Sequence, residues 1–138
     1  MLSVGAVVAQ QEVANQTQTA MKATGRAMGA ALGPMVKGEK PYDQAAVDAA
    51  LATLEDTAKK LPAMFPDSIK GLKIEGDYSS SPKIWEDKAG FKAKIDSFAK
   101  AVAEAKAKTR DLDSLKANVS AIGKECSGCH ETYRLKNG

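Results

Sequence analysis

The only two cysteines and the only histidine of this 138-residue chain fall within five consecutive residues, Cys126-Ser-Gly-Cys129-His130. That concentration narrows the chemistry. A structural zinc site takes four Cys or His ligands, and only three such side chains exist here. A single imidazole also excludes any mechanism that needs two. A dithiol–disulfide redox pair shares the Cys-x-x-Cys spacing, but such pairs sit at a helix N-terminus in a βα fold. The remaining chemistry is attachment of a c-type haem. Two thiols add to two porphyrin vinyl groups, and the histidine that follows reaches the iron from the same side. At about 100° per residue, Cys126 and Cys129 share one helix face, and His130 lies only about 40° from Cys126. Cys126 and Cys129 are therefore the expected thioether positions, His130 is the axial ligand, and all three point into the protein.

Four segments with helical apolar spacing must position this motif. The first carries Thr17, Met21, Thr24, Met28 and Ala31 and ends before Gly33-Pro34. Asp43 caps the second, with Tyr42 and Val47 spaced for a hydrophobic staple. Its stripe is Val47, Leu51, Leu54, Ala58 and Leu61, stopped by Pro62. Residues 66–81 form the one long connection, a surface loop by their Gly and Ser content. Ser81 caps a third helix with Pro82 at its first position, and the stripe runs through Lys88, Phe91, Ile95, Phe98, Val102 and Ala105. The fourth helix begins near Asp111 or Asp113, with Leu115, Val119, Ile122, Cys126, Cys129 and Tyr133 facing inward. No segment alternates with period two, so no strand is expected. The fold class is all-α: an antiparallel up-and-down four-helix bundle with the haem near one end.

Composition agrees with one helical domain. Apolar residues make up 43%, charged residues 27% and aromatic residues 5%, and the formal charge of +3 carries no nucleic-acid signal. The opening Met-Leu-Ser-Val-Gly-Ala-Val-Val-Ala9 has the small residues that signal peptidase accepts at Val7 and Ala9, and it is too short to span a membrane. Residues 1–9 thus read as a signal-peptide remnant, and residues 10–138 as the haem domain of an exported protein.

Cys126-x-x-Cys-His130-x-x-Tyr133-Arg134 at the end of a fourth helix resembles the class II c-type cytochromes, the cytochrome c′ family. Lys37-Gly-Glu-Lys-Pro-Tyr-Asp43, Leu61-Pro-Ala-Met-Phe-Pro66 and Ser81-Pro-Lys-Ile-Trp-Glu86 are similar to it at matching places, and the likeness runs along nearly the whole mature chain. The Met21 arrangement is closest to the low-spin cytochrome c-556 branch. The resemblance implies a periplasmic protein with one covalent haem c and its iron, redox proteins of the periplasm as partners, and a monomer or homodimer.

The sixth iron position separates electron carrier from gas binder. With no second histidine, methionine is the natural partner, and its thioether raises the potential. The early turns of the first helix face the haem end of an antiparallel bundle, and Met21 lies there on the inward stripe. Met28 is about 10 Å deeper along the axis, Met35 falls beyond Gly33-Pro34, and Met64 belongs to the far end of the second helix. If Met21 only fills the core, the iron stays five-coordinate and binds nitric oxide or carbon monoxide. The resemblance favours Met21 as ligand. Tyr133 and Arg134 are expected at the haem edge, and Trp85 in the core or against the haem. Many cytochromes c′ carry an Arg one turn before the distal position. Thr17 stands there instead, as a weaker haem contact, with Arg26 as the alternative propionate partner. Lys22, Lys124, Arg134 and Lys136 could form a basic rim for an acidic partner or simply a solvated face. The lone histidine is committed to iron and no catalytic constellation stands beside it, so the expected protein is an electron carrier and not an enzyme.

Overall fold

The computed structural model describes residues 4–72 and 76–136. Residues 1–3 of the expected signal-peptide remnant lie outside the described residues. Among those described, four long helices run antiparallel. The first is α1 (Val4–Arg26), which passes through a π-helical turn (Ala27–Leu32) into a last α-turn, α2 (Gly33–Val36). The second is α3 (Gln44–Lys60). The third is split into the one-turn α4 (Lys83–Glu86) and the long α5 (Lys88–Lys108). The fourth is α6 (Leu112–Tyr133).

Hydrogen bonds between helix ends show the alternation. At one end, Thr17 of α1 reaches the carbonyl of Met64 beyond α3, and the Ser81 amide ahead of α4 bonds the carbonyl of Tyr133 at the end of α6. At the other end, Gln44 at the start of α3 reaches the carbonyl of Thr109, between α5 and α6. Asp43 caps α3 by accepting from the amides of Ala45 and Ala46, at 3.0 and 3.4 Å. Asp111 and Ser114 cap α6 reciprocally, and this satisfies amides that the first turn leaves without partners.

Three local expectations are corrected. The first helix does not stop at Gly33-Pro34. Pro34 cannot donate to the carbonyl of Ala30, and its ring would crowd that carbonyl in an α-helix. The chain widens instead, so that the Gly33 amide bonds the carbonyl of Met28, five residues back. A Cβ on Gly33 would sit 3.2 Å from that oxygen, a tight contact that glycine avoids. The extra residue moves the buried position from Ala31 to Leu32, which is fully buried, and carries Met35 into the core.

The third helix breaks at Asp87, whose backbone (φ −128°, ψ 61°) leaves the helical region so that its carboxylate can cap α5 at the amide of Gly90, 3.1 Å away. Lys88 is accordingly outside the stripe and pairs with Asp67 at the surface.

A minimal sheet exists after all. β1 (Tyr78–Ser80) pairs antiparallel with β2 (Arg134–Lys136), with Ser79 opposite Leu135. Three-residue strands are too short for alternation to show in a sequence.

The core is otherwise the expected one: Val47, Leu51, Leu54, Ala58, Leu61, Phe91, Ile95, Phe98, Val102, Ala105, Leu115 and Ile122 are all buried. Ile122, fully enclosed one turn before Cys126, tests that packing. Ile122→Ala is expected to cost about 2–5 kcal/mol, read as a lower denaturation midpoint at unchanged m-value.

Candidate haem cavity

The inward faces of α1, α3, α5 and α6 do not meet at the end of the bundle where α6 finishes. They enclose a cavity of about 730 Å³. Cys126, Cys129 and His130 all open into it from α6, as their common face requires. The walls are mainly apolar: Met21 and Met28 from α1, Leu61 and Phe65 from the end of α3, Ile95 and Phe98 from α5. The volume falls within the range of cofactor pockets. An apolar slot with two thiols, one imidazole and thioethers on its walls fits a porphyrin joined to the chain at one edge.

The electrostatics suit the same group. Burial pushes the Cys126 thiol above its ordinary range, with the Glu125 charge adding to it. Burial also raises Cys129, partly offset by the cations Lys94 and Arg134. Burial, and then the nearby Arg134, lower His130, so its imidazole is neutral at pH 7 and keeps a lone pair for a metal.

Tyr133 closes the end of the cavity. It is buried, packs edge-on to Phe91 at 5.1 Å, and donates to the Asp87 carboxylate at 3.1 Å. Gly90 makes room for this pair, since a Cβ there would lie 2.7 Å from the Tyr133 oxygen. Burial, then the bond to Asp87 and its charge, raise the Tyr133 phenol. The fold therefore retains this proton longer than the unfolded chain does. The associated stability is complete below the unfolded tyrosine pKa and is lost as pH rises through the folded one. Tyr133→Phe should flatten that alkaline decline in melting temperature; an identical decline would place its cause elsewhere.

Arg134 does not continue α6 by another turn. It leaves the helix into β2 and its guanidinium stacks on the Tyr78 ring, 3.7 Å from the centroid, where both residues border the cavity. Thr17 borders it too, but its hydroxyl is engaged with the carbonyls of Val13 and Met64. Arg26 stands away from it, on a separate surface cleft with Lys40 and Asp43. Trp85 is core, its indole donating to the Phe65 carbonyl at 3.1 Å, and it does not reach the cavity. Met35 and Met64 are buried outside the cavity, which leaves Met21 and Met28 as its methionines among the described residues. Of the expected basic rim, Lys22 and Arg134 stand at the cavity and Lys124 and Lys136 do not. Asp77 and Glu125 share the rim, so its charge is mixed.

Several cavity residues escaped the sequence reading. Lys94 of α5 lines the cavity although it stands outside the apolar stripe of that helix. The long connection is more than surface loop, because its Ile69, Leu72 and Tyr78 help to enclose the cavity; its apolar residues were the available signal. Thr57 lay one position off its stripe, yet it bonds Thr24 inside the wall, with 2.8 Å between their hydroxyls.

Comparison with known proteins places this geometry. A family model described as Cytochrome C' matches residues 12–134. A protein named cytochrome c-556 from Rhodopseudomonas palustris is 55% identical over 139 residues, covering 100% of this chain and 93% of its own. A protein named cytochrome c' from the same organism is 41% identical over 137 residues, with 99% and 90% covered. The solved structure of oxidised R. palustris cytochrome c556 superposes with a TM-score of 0.81 at 56% identity, over 93% of this chain and 99% of that one. Among the described residues, no helix is long and apolar enough to cross a membrane. Shared fold and identity along almost the whole length carry the conclusion that this chain belongs to the cytochrome c′ family, with a covalently attached haem c and its iron as cofactor.

Proposed function

We propose that this chain is a periplasmic electron carrier, its mature part residues 10–138, with thioethers at Cys126 and Cys129 and the iron held between His130 and Met21. The observation that carries the reading is that Met21, from α1, opens into the same cavity as the three residues of the α6 motif. The higher identity to a cytochrome c-556 than to a cytochrome c′ supports the same branch. Bound haem supplies a one-electron ferric–ferrous couple.

The chain's own residues then do four things. The two cysteines fix one porphyrin edge to α6. Neutral His130 presents a lone pair, and Met21 presents a thioether that favours the reduced iron. The apolar walls would limit the water that reaches bound haem. Tyr133 and Arg134 close the edge of the site, with Thr17 on the opposite wall. The single imidazole is spent on iron, and the protein passes electrons between redox proteins of the periplasm, as a monomer or homodimer, rather than catalysing a reaction.

The competing reading is a five-coordinate iron that binds nitric oxide or carbon monoxide. It draws on Met28, which lines the same cavity as Met21: if methionines on this wall only fill space, the iron stays open. Visible spectra of the haem-loaded protein, oxidised and reduced, with and without carbon monoxide, separate the two. Sharp low-spin bands that carbon monoxide barely changes are expected. Broad high-spin bands that shift on its addition would replace the electron carrier with the gas binder.

A further inference from the structure

The stretch of α1 that carries Met21 leans on the cavity and has little core beneath it. Of residues 15–26, Thr24 alone is buried, while Thr17 and Met21 on the same face are only half-buried because they look into the cavity. Ala20 and Met21 pack against the core from this stretch, and side-chain hydrogen bonds join it to neighbouring elements. Two of these bonds come from threonine hydroxyls, and they bracket Met21. Four residues before it, Thr17 reaches the carbonyl of Met64 at 3.3 Å, just past α3. Three residues after it, Thr24 meets the hydroxyl of Thr57 on α3 at 2.8 Å. Spacings of four and three put both ties on the face that Met21 occupies.

The Thr24–Thr57 bridge is a closed set. Thr24 also lies 2.9 Å from the carbonyl of Ala20, and Thr57 lies 3.2 Å from the carbonyl of Thr53. Two hydroxyl protons serve the bridge and one of these carbonyls, so both hydroxyls are satisfied within the wall. Removing either one leaves the other with its own helix carbonyl. The loss then falls on the tie between helices, and no buried polar group is stranded.

We propose that Thr24, Thr57 and Thr17 are positioning residues: their hydroxyl ties hold α1 against the α3 arm so that the Met21 sulfur stays at the iron. This rests on Met21 being the sixth ligand. A cavity wall held mainly by packing would let α1 drift and open the site, whereas directional bonds on both sides of the ligand fix its depth and rotation.

The test uses the haem-loaded protein with Thr24→Val, Thr57→Val, Thr24→Ser and Thr17→Val. Valine keeps the shape and removes the hydroxyl; serine keeps the hydroxyl. Thr24→Val and Thr57→Val should each raise the fraction of open, high-spin haem about fivefold, the equivalent of one net hydrogen bond. Carbon monoxide binding should rise in proportion to the open fraction. Because the tie is shared, the Thr24→Val, Thr57→Val double variant should add little to either alone, and Thr24→Ser should stay near wild type. Thr17→Val should shift the same readings in the same direction. If the valine variants melt at lower temperature but keep wild-type spectra and carbon monoxide kinetics, the threonines are structural only and the inference fails. A wild-type protein that is already high-spin would instead overturn the Met21 ligation on which it rests, a result visible before any variant is made.

Discussion

Met21→Ala converts the low-spin haem into a high-spin one that takes up carbon monoxide. Alanine cannot reach a metal, and of the methionines in the described residues only Met28 shares the cavity. Met28 stands about 10 Å further along the helix axis, too far to take over. If Met21 closes the iron in about ninety-nine molecules of a hundred, opening the site raises the apparent carbon monoxide affinity on the order of a hundredfold. The potential should fall, since a thioether ligand favours the reduced iron. Met28→Ala is the control and should leave the ferric spectrum low-spin. A low-spin spectrum surviving in Met21→Ala would end the assignment.

The joint replacement of Cys126 and Cys129 by alanine should abolish covalent haem. After denaturation and electrophoresis, the wild-type band stains for haem and the double variant does not, while either single variant keeps one thioether. Haem retained by the double variant after denaturation would show attachment elsewhere. The loss reaches the fold as well. A cavity of about 730 Å³ is far larger than native packing tolerates. Without haem, the apolar side chains that line it would face water, and their burial against the porphyrin would be lost. The cofactor is thus part of the core, and the double variant should lose its sharp thermal transition.

How far the residues announced this arrangement depended on how locally each feature is determined. The inward stripes of α3 and α6 were legible because apolar side chains at helical spacing have one favourable place to go, and the Asp43 cap because it acts within three residues; the start of the fourth helix stayed open between Asp111 and Asp113, and Asp111 caps it. The common face of Cys126, Cys129 and His130 followed from helix geometry alone, and all three do meet in one cavity. What stayed hidden was set by partners distant in sequence. Nothing near Asp87 warns that its carboxylate accepts from Tyr133, 46 residues away, or that Gly90 clears the space between them. The Thr24–Thr57 bridge joins positions 33 residues apart; Thr24 stands on the inward stripe of the first helix, but Thr57 lies off its own stripe and nothing local marks it as the partner. Strands β1 and β2 exist only because Tyr78–Ser80 and Arg134–Lys136 find each other. Gly33-Pro34 carries the signal of a helix end, yet a proline can widen a helix as well as end it, and the protein around it decides which.

That widened turn has a consequence for chain length. Ala27–Leu32 holds one residue more than a plain α-helix would need to link the two halves of the first rod. The residues before it, with Met21 and Thr24, are set by the cavity; those after it, with Leu32 and Met35, are set by the core. The surplus residue absorbs the mismatch between the two phases, as a stutter does in a coiled coil. A relative one residue shorter between Thr24 and Pro34 could therefore keep both faces in place, and an alignment gap at that point would mark a change of helix type while the site stayed the same.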